Sequence, residues 1–105
     1  MVELLLFMSD VDTFIISAKD GRIDIVSQFL QENKVTVDCR DKDGNTALMQ
    51  ASAWGFMDLV KLLLSHRADI NNRNKDGSTA WLQVLHIYFS LFYLLILTPY
   101  LIRLL

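Results

Sequence analysis

The stretch that decides the fold is Asp41-Lys42-Asp43-Gly44-Asn45-Thr46-Ala47, which returns 33 residues later as Asn74-Lys75-Asp76-Gly77-Ser78-Thr79-Ala80. A fixed period of this length indicates a stacked-repeat architecture, in which each unit buries its apolar face against its neighbours. Asp-Gly dipeptides favour tight hairpin turns, because glycine accepts a positive φ freely. The sequence therefore predicts two hairpin tips, each followed by a helix that starts at Thr46 or Thr79.

The segments on either side of the first hairpin tip have apolar residues at helical spacing. Apolar residues recur at i, i+3 and i+4 spacing in two places, which are Ile23, Val26, Phe29, Leu30 and then Leu59, Leu62, Leu63, Leu64. Each set predicts one apolar helix face that packs against the rest of the protein. We expect a helix–turn–helix pair from Thr46 to His66, with the turn at Trp54-Gly55.

The unit from Asp41 to Asn71 resembles the ankyrin repeat. The matching residues are Gly44, Thr46, Leu48, Ala51, Ser52, Gly55, Leu59, Val60, Leu62, Leu63, Leu64, Ala68, Asp69, Ile70 and Asn71. The resemblance implies a mainly α fold, an ankyrin-type helix–turn–helix solenoid with short β-hairpin turns. It predicts a capping segment at 1–9, a degenerate repeat at 10–40, a full repeat at 41–73 and the start of a third repeat at 74–83.

The full unit departs from the family pattern at its first helix. Where the family has Thr-Pro-Leu-His, this chain has Thr46-Ala47-Leu48-Met49. Proline pre-sets φ at a helix start, and the family's histidine ties the turns together by hydrogen bonding. We expect the loss of both residues to weaken the repeat slightly and to leave its fold unchanged.

A long hydrophobic helix is predicted at 81–103. The 22 residues from Trp81 to Ile102 include no Asp, Glu, Lys or Arg. As a helix they span about 33 Å, against about 30 Å for the hydrocarbon core of a bilayer. Trp81 and Tyr100 lie near the two ends, where interfacial aromatic residues are enriched.

Three interpretations of this tail stay open on the sequence. It is a transmembrane segment, or a read-through or truncation product joined where the third repeat stops at Gln83, or a soluble helix folded over the repeats. Arg67, Arg73 and Lys75 precede the span and Arg103 follows it. This excess of basic residues before the span predicts cytosolic repeats if the helix enters a membrane.

Composition excludes several classes of function. At 105 residues the chain has room for one domain. A net charge of −2 gives no support for nucleic-acid binding, and a single cysteine excludes an internal disulfide. We find no phosphate-binding glycine loop, no nucleophile elbow and no metal-ligand spacing, and Asp41 and Asp43 are interpreted as turn acids. The sequence therefore predicts no catalytic residues, no cofactor, no metal and no small-molecule substrate.

The resemblance also implies where a protein partner binds. Carried over by motif position, the partner-facing residues are Lys19, Asp20, Lys42, Asp43, Asn45, Ala53, Trp54, Lys75, Asp76 and Ser78. Trp54 stands out because an exposed tryptophan suits a binding hot spot. The alternative is that a neighbouring repeat or lipid covers Trp54.

Two functional hypotheses follow. The first is a non-catalytic protein–protein interaction module, a scaffold or adaptor that its C-terminal helix anchors in a membrane. The second is a truncated or read-through isoform, or a fragment, of a larger ankyrin-repeat protein with no stable binding surface. The identity of the partner and of the membrane is left open.

Overall fold

Five α-helices make up the regular structure of residues 8–104, which a computed structural model of the chain describes (without the side chains of 86, 87, 101 and 104). The predicted capping segment falls mostly on residues 1–7, outside the described range. The helices are α1 (Asp10–Lys19), α2 (Ile23–Gln31), α3 (Ala47–Ala53), α4 (Met57–Ser65) and α5 (Ala80–Leu104). Residues 8–104 contain no strand, so the predicted hairpins are hydrogen-bonded turns.

The first helix pair begins with a capped helix. The Asp12 N–H donates to Ser9 Oγ at 3.1 Å, which satisfies one of the free amides at the start of α1. The chain then turns through Gly21, which has a φ of 74°. A Cβ at Gly21 would lie 2.7 Å from Phe56 Cε1, so the absence of a side chain lets the second repeat approach closely.

The second helix pair confirms the prediction for Thr46 to His66. Thr46 is the N-cap of α3, Trp54 its C-cap, and His66 the C-cap of α4. The Met49 N–H donates to Thr46 Oγ1 at 3.3 Å, and the Thr46 N–H points at Met49 Sδ at 3.5 Å. The Met49 thioether thus supplies a weak acceptor where the family has histidine.

The core lies between two rows of helices. α1, α3 and the start of α5 pack side by side in one row, and α2 packs against α4 in the other. The largest fully buried apolar side chains are Phe14, Leu48, Leu59, Leu63 and Val26. The rings of Phe14 and Phe29 stack with their centroids 6.4 Å apart and extend this core beneath the first repeat.

The predicted apolar faces are wrong at two of their residues. Ile23 is 42% exposed and Leu64 is 43% exposed, whereas Leu63 is fully buried. Ile23 is the first residue of α2 and lies at a helix end. Leu64 lies on the side of α4 that a further repeat would cover, and among the described residues no such helix is present.

The third repeat starts as predicted and then continues as one helix. The Leu82 N–H donates to Thr79 Oγ1 at 3.2 Å, which caps α5, and Ala80 is buried against the repeats. Gly55 allows the turn between α3 and α4, but Tyr88 holds the equivalent position in α5, and the helix runs through it to Leu104. The chain therefore has no second helix in its third repeat within the described range.

Most of α5 has no protein neighbour. Within the described residues, one helix, Ala80–Tyr100, is long and apolar enough to cross a membrane by length and composition, and only 6% of that span is buried. A core helix of a soluble protein also passes this test of length and composition. Such a helix is mostly buried, however, and α5 is mostly exposed.

Candidate protein-binding surface

The first hairpin tip is organised by one aspartate. Asp41 Oδ1 accepts the N–H groups of Asp43 and Asn45, both at 2.9 Å. Gly44 has a φ of 78°, which closes the turn. Asp41 therefore acts as the turn acid that the sequence predicted, and its geometry holds Lys42 and Asp43 out towards solvent.

The second tip repeats this arrangement with Asn74 in place of the aspartate. Asn74 Oδ1 accepts from the N–H groups of Asp76 at 3.0 Å and Ser78 at 2.9 Å. Two bonds join the tips: the Lys75 N–H donates to the Asp43 carbonyl at 3.0 Å, and Asn74 Nδ2 donates to Asn45 Oδ1 at 2.9 Å. The tips thus form one rigid edge that presents two Lys–Asp pairs one repeat apart.

Arg40 clamps the bases of the two hairpins, a role that the sequence reasoning missed. Its guanidinium donates to the Arg73 carbonyl at 2.8 Å and to Asn72 Oδ1 at 2.7 Å. Asp38 Oδ1 also accepts the Asp69 N–H at 2.9 Å. The 33-residue period contained this signal, because residues one period apart lie side by side in a stack.

Trp54 and Lys19 meet at the ends of α1 and α3. Trp54 is 59% exposed, and the ammonium of Lys19 lies 5.9 Å from the centroid of its ring. That distance lies within the range of a cation–π contact, worth about 0.5–1 kcal/mol at an exposed site. The contact links the first repeat to the second and leaves more than half of the Trp54 surface exposed.

The predicted partner-facing residues occupy two patches. Five of them belong to the tips and are exposed or partly exposed; these are Lys42, Asp43, Lys75, Asp76 and Ser78. Exposed Lys19, Asp20 and Trp54, with half-buried Ala53, lie at the ends of α1 and α3. Asn45 belongs with the tips, but its Oδ1 already accepts a hydrogen bond from Asn74. The assignment of these residues to a partner stays a prediction.

A shallow cleft of about 290 Å³ adjoins the first tip. Its walls come from α1 and the hairpin, and it is lined by Met8, Asp12, Ile15, Ile16, Asp41 and Lys42. Ile16 is 45% exposed. The sequence reasoning did not single out Ile16, whose exposure depends on how α1 packs rather than on the repeat motif.

Among the described residues, three titratable groups have a shifted pKa. Burial raises the pKa of the Cys39 thiol to about 11, so the thiol stays protonated at neutral pH and is a poor nucleophile. A hydrogen bond from the Ile25 backbone lowers the pKa of Asp24, and one from the Gln28 side chain lowers that of Glu32. Both carboxylates lie on the surface. Across the described side chains, no three His, Cys, Asp or Glu residues come together as metal ligands.

Comparison with known families identifies the repeat. The family profile described as ankyrin repeats (3 copies) matches residues 1–82. The chain belongs to the ankyrin-repeat family. Ankyrin repeats are protein-interaction modules and are generally non-enzymatic, and the helical solenoid described above is the architecture that the sequence predicted.

The relatives are much longer than this chain. It is 39% identical over 54 residues to human ankyrin repeat domain-containing protein 29, a match that covers 51% of this chain and 18% of the relative. It is 40% identical over 55 residues to alpha-latroinsectotoxin-Lt1a of Latrodectus tredecimguttatus, covering 52% of this chain and 4% of the toxin. The chain therefore corresponds to a small part of each.

A solved structure shows the same fold. It is the predatory endopeptidase from Bdellovibrio bacteriovorus in complex with an immunity protein, and a chain in it matches with a TM-score of 0.66 and 32% identity. The match covers 70% of this chain and 38% of that chain.

Proposed function

We propose that the ankyrin repeats bind a protein partner through the joined hairpin tips and the Lys19–Trp54 pair. The observation that carries the proposal is the exposed indole of Trp54. Tryptophan is enriched among the residues that dominate binding energy, because its large rigid surface is buried at low entropic cost. The hydrogen bonds that link the tips add a preorganised edge, so that little is lost in ordering it on binding.

Trp54→Ala is expected to weaken partner binding by about 2 kcal/mol or more, which is about 30-fold in Kd. The experiment captures partners with the full chain in mild detergent and compares their amounts by quantitative mass spectrometry. Met57→Ala is the matched control, because Met57 is an exposed apolar residue three positions away on α4. A partner held equally by wild type and Trp54→Ala contradicts this surface, whereas a chain that captures no partner favours the alternative of a fragment that lacks a stable binding surface.

We also propose that α5 crosses a membrane and holds the repeats on the cytosolic side. An apolar surface of this size on a soluble monomer drives association, whereas a bilayer satisfies it. An α-helix meets its own backbone hydrogen-bonding needs in lipid, except that Pro99 has no N–H to donate to the Leu95 carbonyl. The hydroxyl of Thr98 donates to the Leu94 carbonyl, so this polar group also has a partner within the helix.

Protease added to sealed vesicles tests the insertion and its direction. With the repeats on the outer, cytosol-equivalent face, digestion is expected to remove the chain before Trp81 and to leave a protected C-terminal fragment. The basic residues Arg67, Arg73 and Lys75 before the span favour this direction. Complete digestion in intact vesicles contradicts insertion, and protection of the whole chain contradicts the direction.

A further inference from the structure

α5 begins beside α3 and runs in the same direction. Hydrogen bonds join the hairpin tips that precede the two helices, so both helices start at the same end of the repeats. Leu48 of α3 lines a cleft with Ala80 of α5, and one helical turn later Ser52 lines it with Val84. α5 therefore points towards the end of the repeats where the chain turns from α3 into α4 at Gly55.

The part of α5 that extends beyond the repeats is shorter than the hydrocarbon core of a bilayer. α3 ends at Ala53, one period before residue 86, and every described side chain from Tyr88 to Arg103 is exposed. The 15 residues from Tyr88 to Ile102 measure about 22 Å as a helix, against about 30 Å of hydrocarbon. A short span is accommodated by local thinning of the bilayer around it. A bilayer that α5 crosses therefore reaches the end of the repeats.

That end of the repeats carries exposed apolar side chains. The turns within the two helix pairs meet there, and Phe56 lies so close to Gly21 that a Cβ on Gly21 would be 2.7 Å from the Phe56 ring. Ile23 is 42% exposed, Phe56 36% and Met57 49%. These three side chains line a cleft of about 330 Å³ that joins both turns. We call Ile23, Phe56 and Met57 the turn patch.

We propose that the turn patch rests in the headgroup zone of the bilayer that α5 crosses. The proposal rests on the proposed insertion of α5, which brings the bilayer to this end of the repeats. Headgroups occupy about 5–8 Å on each side of the hydrocarbon, a depth that exposed side chains at the end of a domain reach. Trp54 is the C-cap of α3 at the same turn, so a protein partner of Trp54 binds next to the bilayer in this arrangement.

The charges around the turn patch indicate that lipid is contacted through apolar groups. Exposed Lys19 and Arg22 lie at the turns together with exposed Asp20, Asp24 and Asp58. Arg22 Nε lies 3.5 Å from Asp24 Oδ1, so this cation is already paired with a carboxylate. Two cations beside three carboxylates do not form the basic cluster that recognises acidic lipid. We therefore expect the patch to bind a neutral phosphatidylcholine surface, with a strength that follows the apolar area it buries.

Fluorescence quenching in phosphatidylcholine vesicles tests the proposal with the full chain. In a Cys39→Ser background, Ile23→Cys carries an NBD label on the turn patch, and Lys42→Cys carries it on the hairpin tip at the opposite end of α3. Ile23 belongs to the first repeat, one repeat farther from α5 than Met57, so contact there requires the whole patch to lie on lipid. A nitroxide on a shallow acyl carbon of the lipid is expected to quench the label at position 23 several-fold more than the label at position 42.

The outcomes separate docking of the turn patch from insertion of α5. Equal quenching of both labels, or no quenching at position 23, overturns the docking. Quenching at position 23 that appears only when phosphatidylserine replaces part of the phosphatidylcholine overturns it too, because acidic lipid then holds the repeats.

A label on Leu95→Cys reports insertion independently, through a nitroxide on a deep acyl carbon. Quenching at position 95 without quenching at position 23 contradicts only the docking. Quenching at position 23 without quenching at position 95 supports the docking and contradicts only the span.

Discussion

Leu63→Ala is expected to lower the free energy of unfolding of the repeats by about 2–5 kcal/mol. Leu63 is fully buried in α4 and packs in the core between the two helix rows. Truncation removes its transfer free energy and leaves a cavity that so short a stack fills only in part. For a domain of this size, each kcal/mol shifts the midpoint of a thermal melt by about 4–8 °C.

Two control variants separate the effect of burial from the effect of removing side-chain atoms. Ile16→Ala removes the same number of carbon atoms as Leu63→Ala, but Ile16 is 45% exposed. Lys42→Ala changes an exposed hairpin tip, and surface changes of this kind stay within about 0.5 kcal/mol. Melts of the full chain in mild detergent, followed by circular dichroism, are expected to rank Leu63→Ala as the least stable. Equal midpoints for all three variants contradict the packing described here.

The repeat of the hairpin sequence after 33 residues made much of the fold predictable. A period of 33 residues implies that Asp43 and Lys75 lie in neighbouring tips, and the structure joins them by a backbone hydrogen bond. Thr46 and Thr79 were recognisable as helix starts, because a short hydroxyl side chain before a helix accepts a free N–H. These features depend on local chemistry and on spacing, both of which the sequence contains.

Other features depend on neighbours that the sequence does not specify. The apolar periodicity of α4 gives Leu63 and Leu64 the same character, but only Leu63 is buried, because the third repeat provides no second helix. The clamp by Arg40 depends on the reach of a long side chain across two repeats. The Met49 thioether lies where the family has histidine and accepts the Thr46 N–H, a contact that the residue type alone did not indicate.

Parts of the candidate binding surface were predictable where the exposure of a residue follows from its position in the repeat. The exposure of Trp54 followed from its place before the turn at Gly55, and the structure agrees. Its contact with Lys19 joins two repeats and was not predicted. The side-chain oxygen of Asn45 accepts a hydrogen bond from Asn74, a contact between the two hairpins that was not predicted.

Charges in the middle of α5 are expected to release the chain from membranes. The span from Trp81 to Ile102 contains thirteen Leu, Ile, Val and Phe residues, each worth about −0.3 to −0.6 kcal/mol near the helix centre, or roughly −4 to −8 kcal/mol together. One lysine there costs about 2.5–3.5 kcal/mol. The double variant Leu91→Lys, Leu95→Lys therefore cancels most of the gain, whereas Leu91→Val, Leu95→Val keeps it.

Alkaline carbonate washing of membranes from cells that contain the full chain is the most direct test of the central claim. The claim is that α5 inserts into a membrane and does not pack on the repeats. We expect the wild type and the double valine variant to stay in the membrane pellet, and the double lysine variant to appear in the supernatant. Only 6% of the span is buried by the rest of the protein, and under the proposed insertion the bilayer covers its apolar surface. A wild-type chain recovered as a soluble monomer contradicts the account, because α5 must then fold back over the repeats.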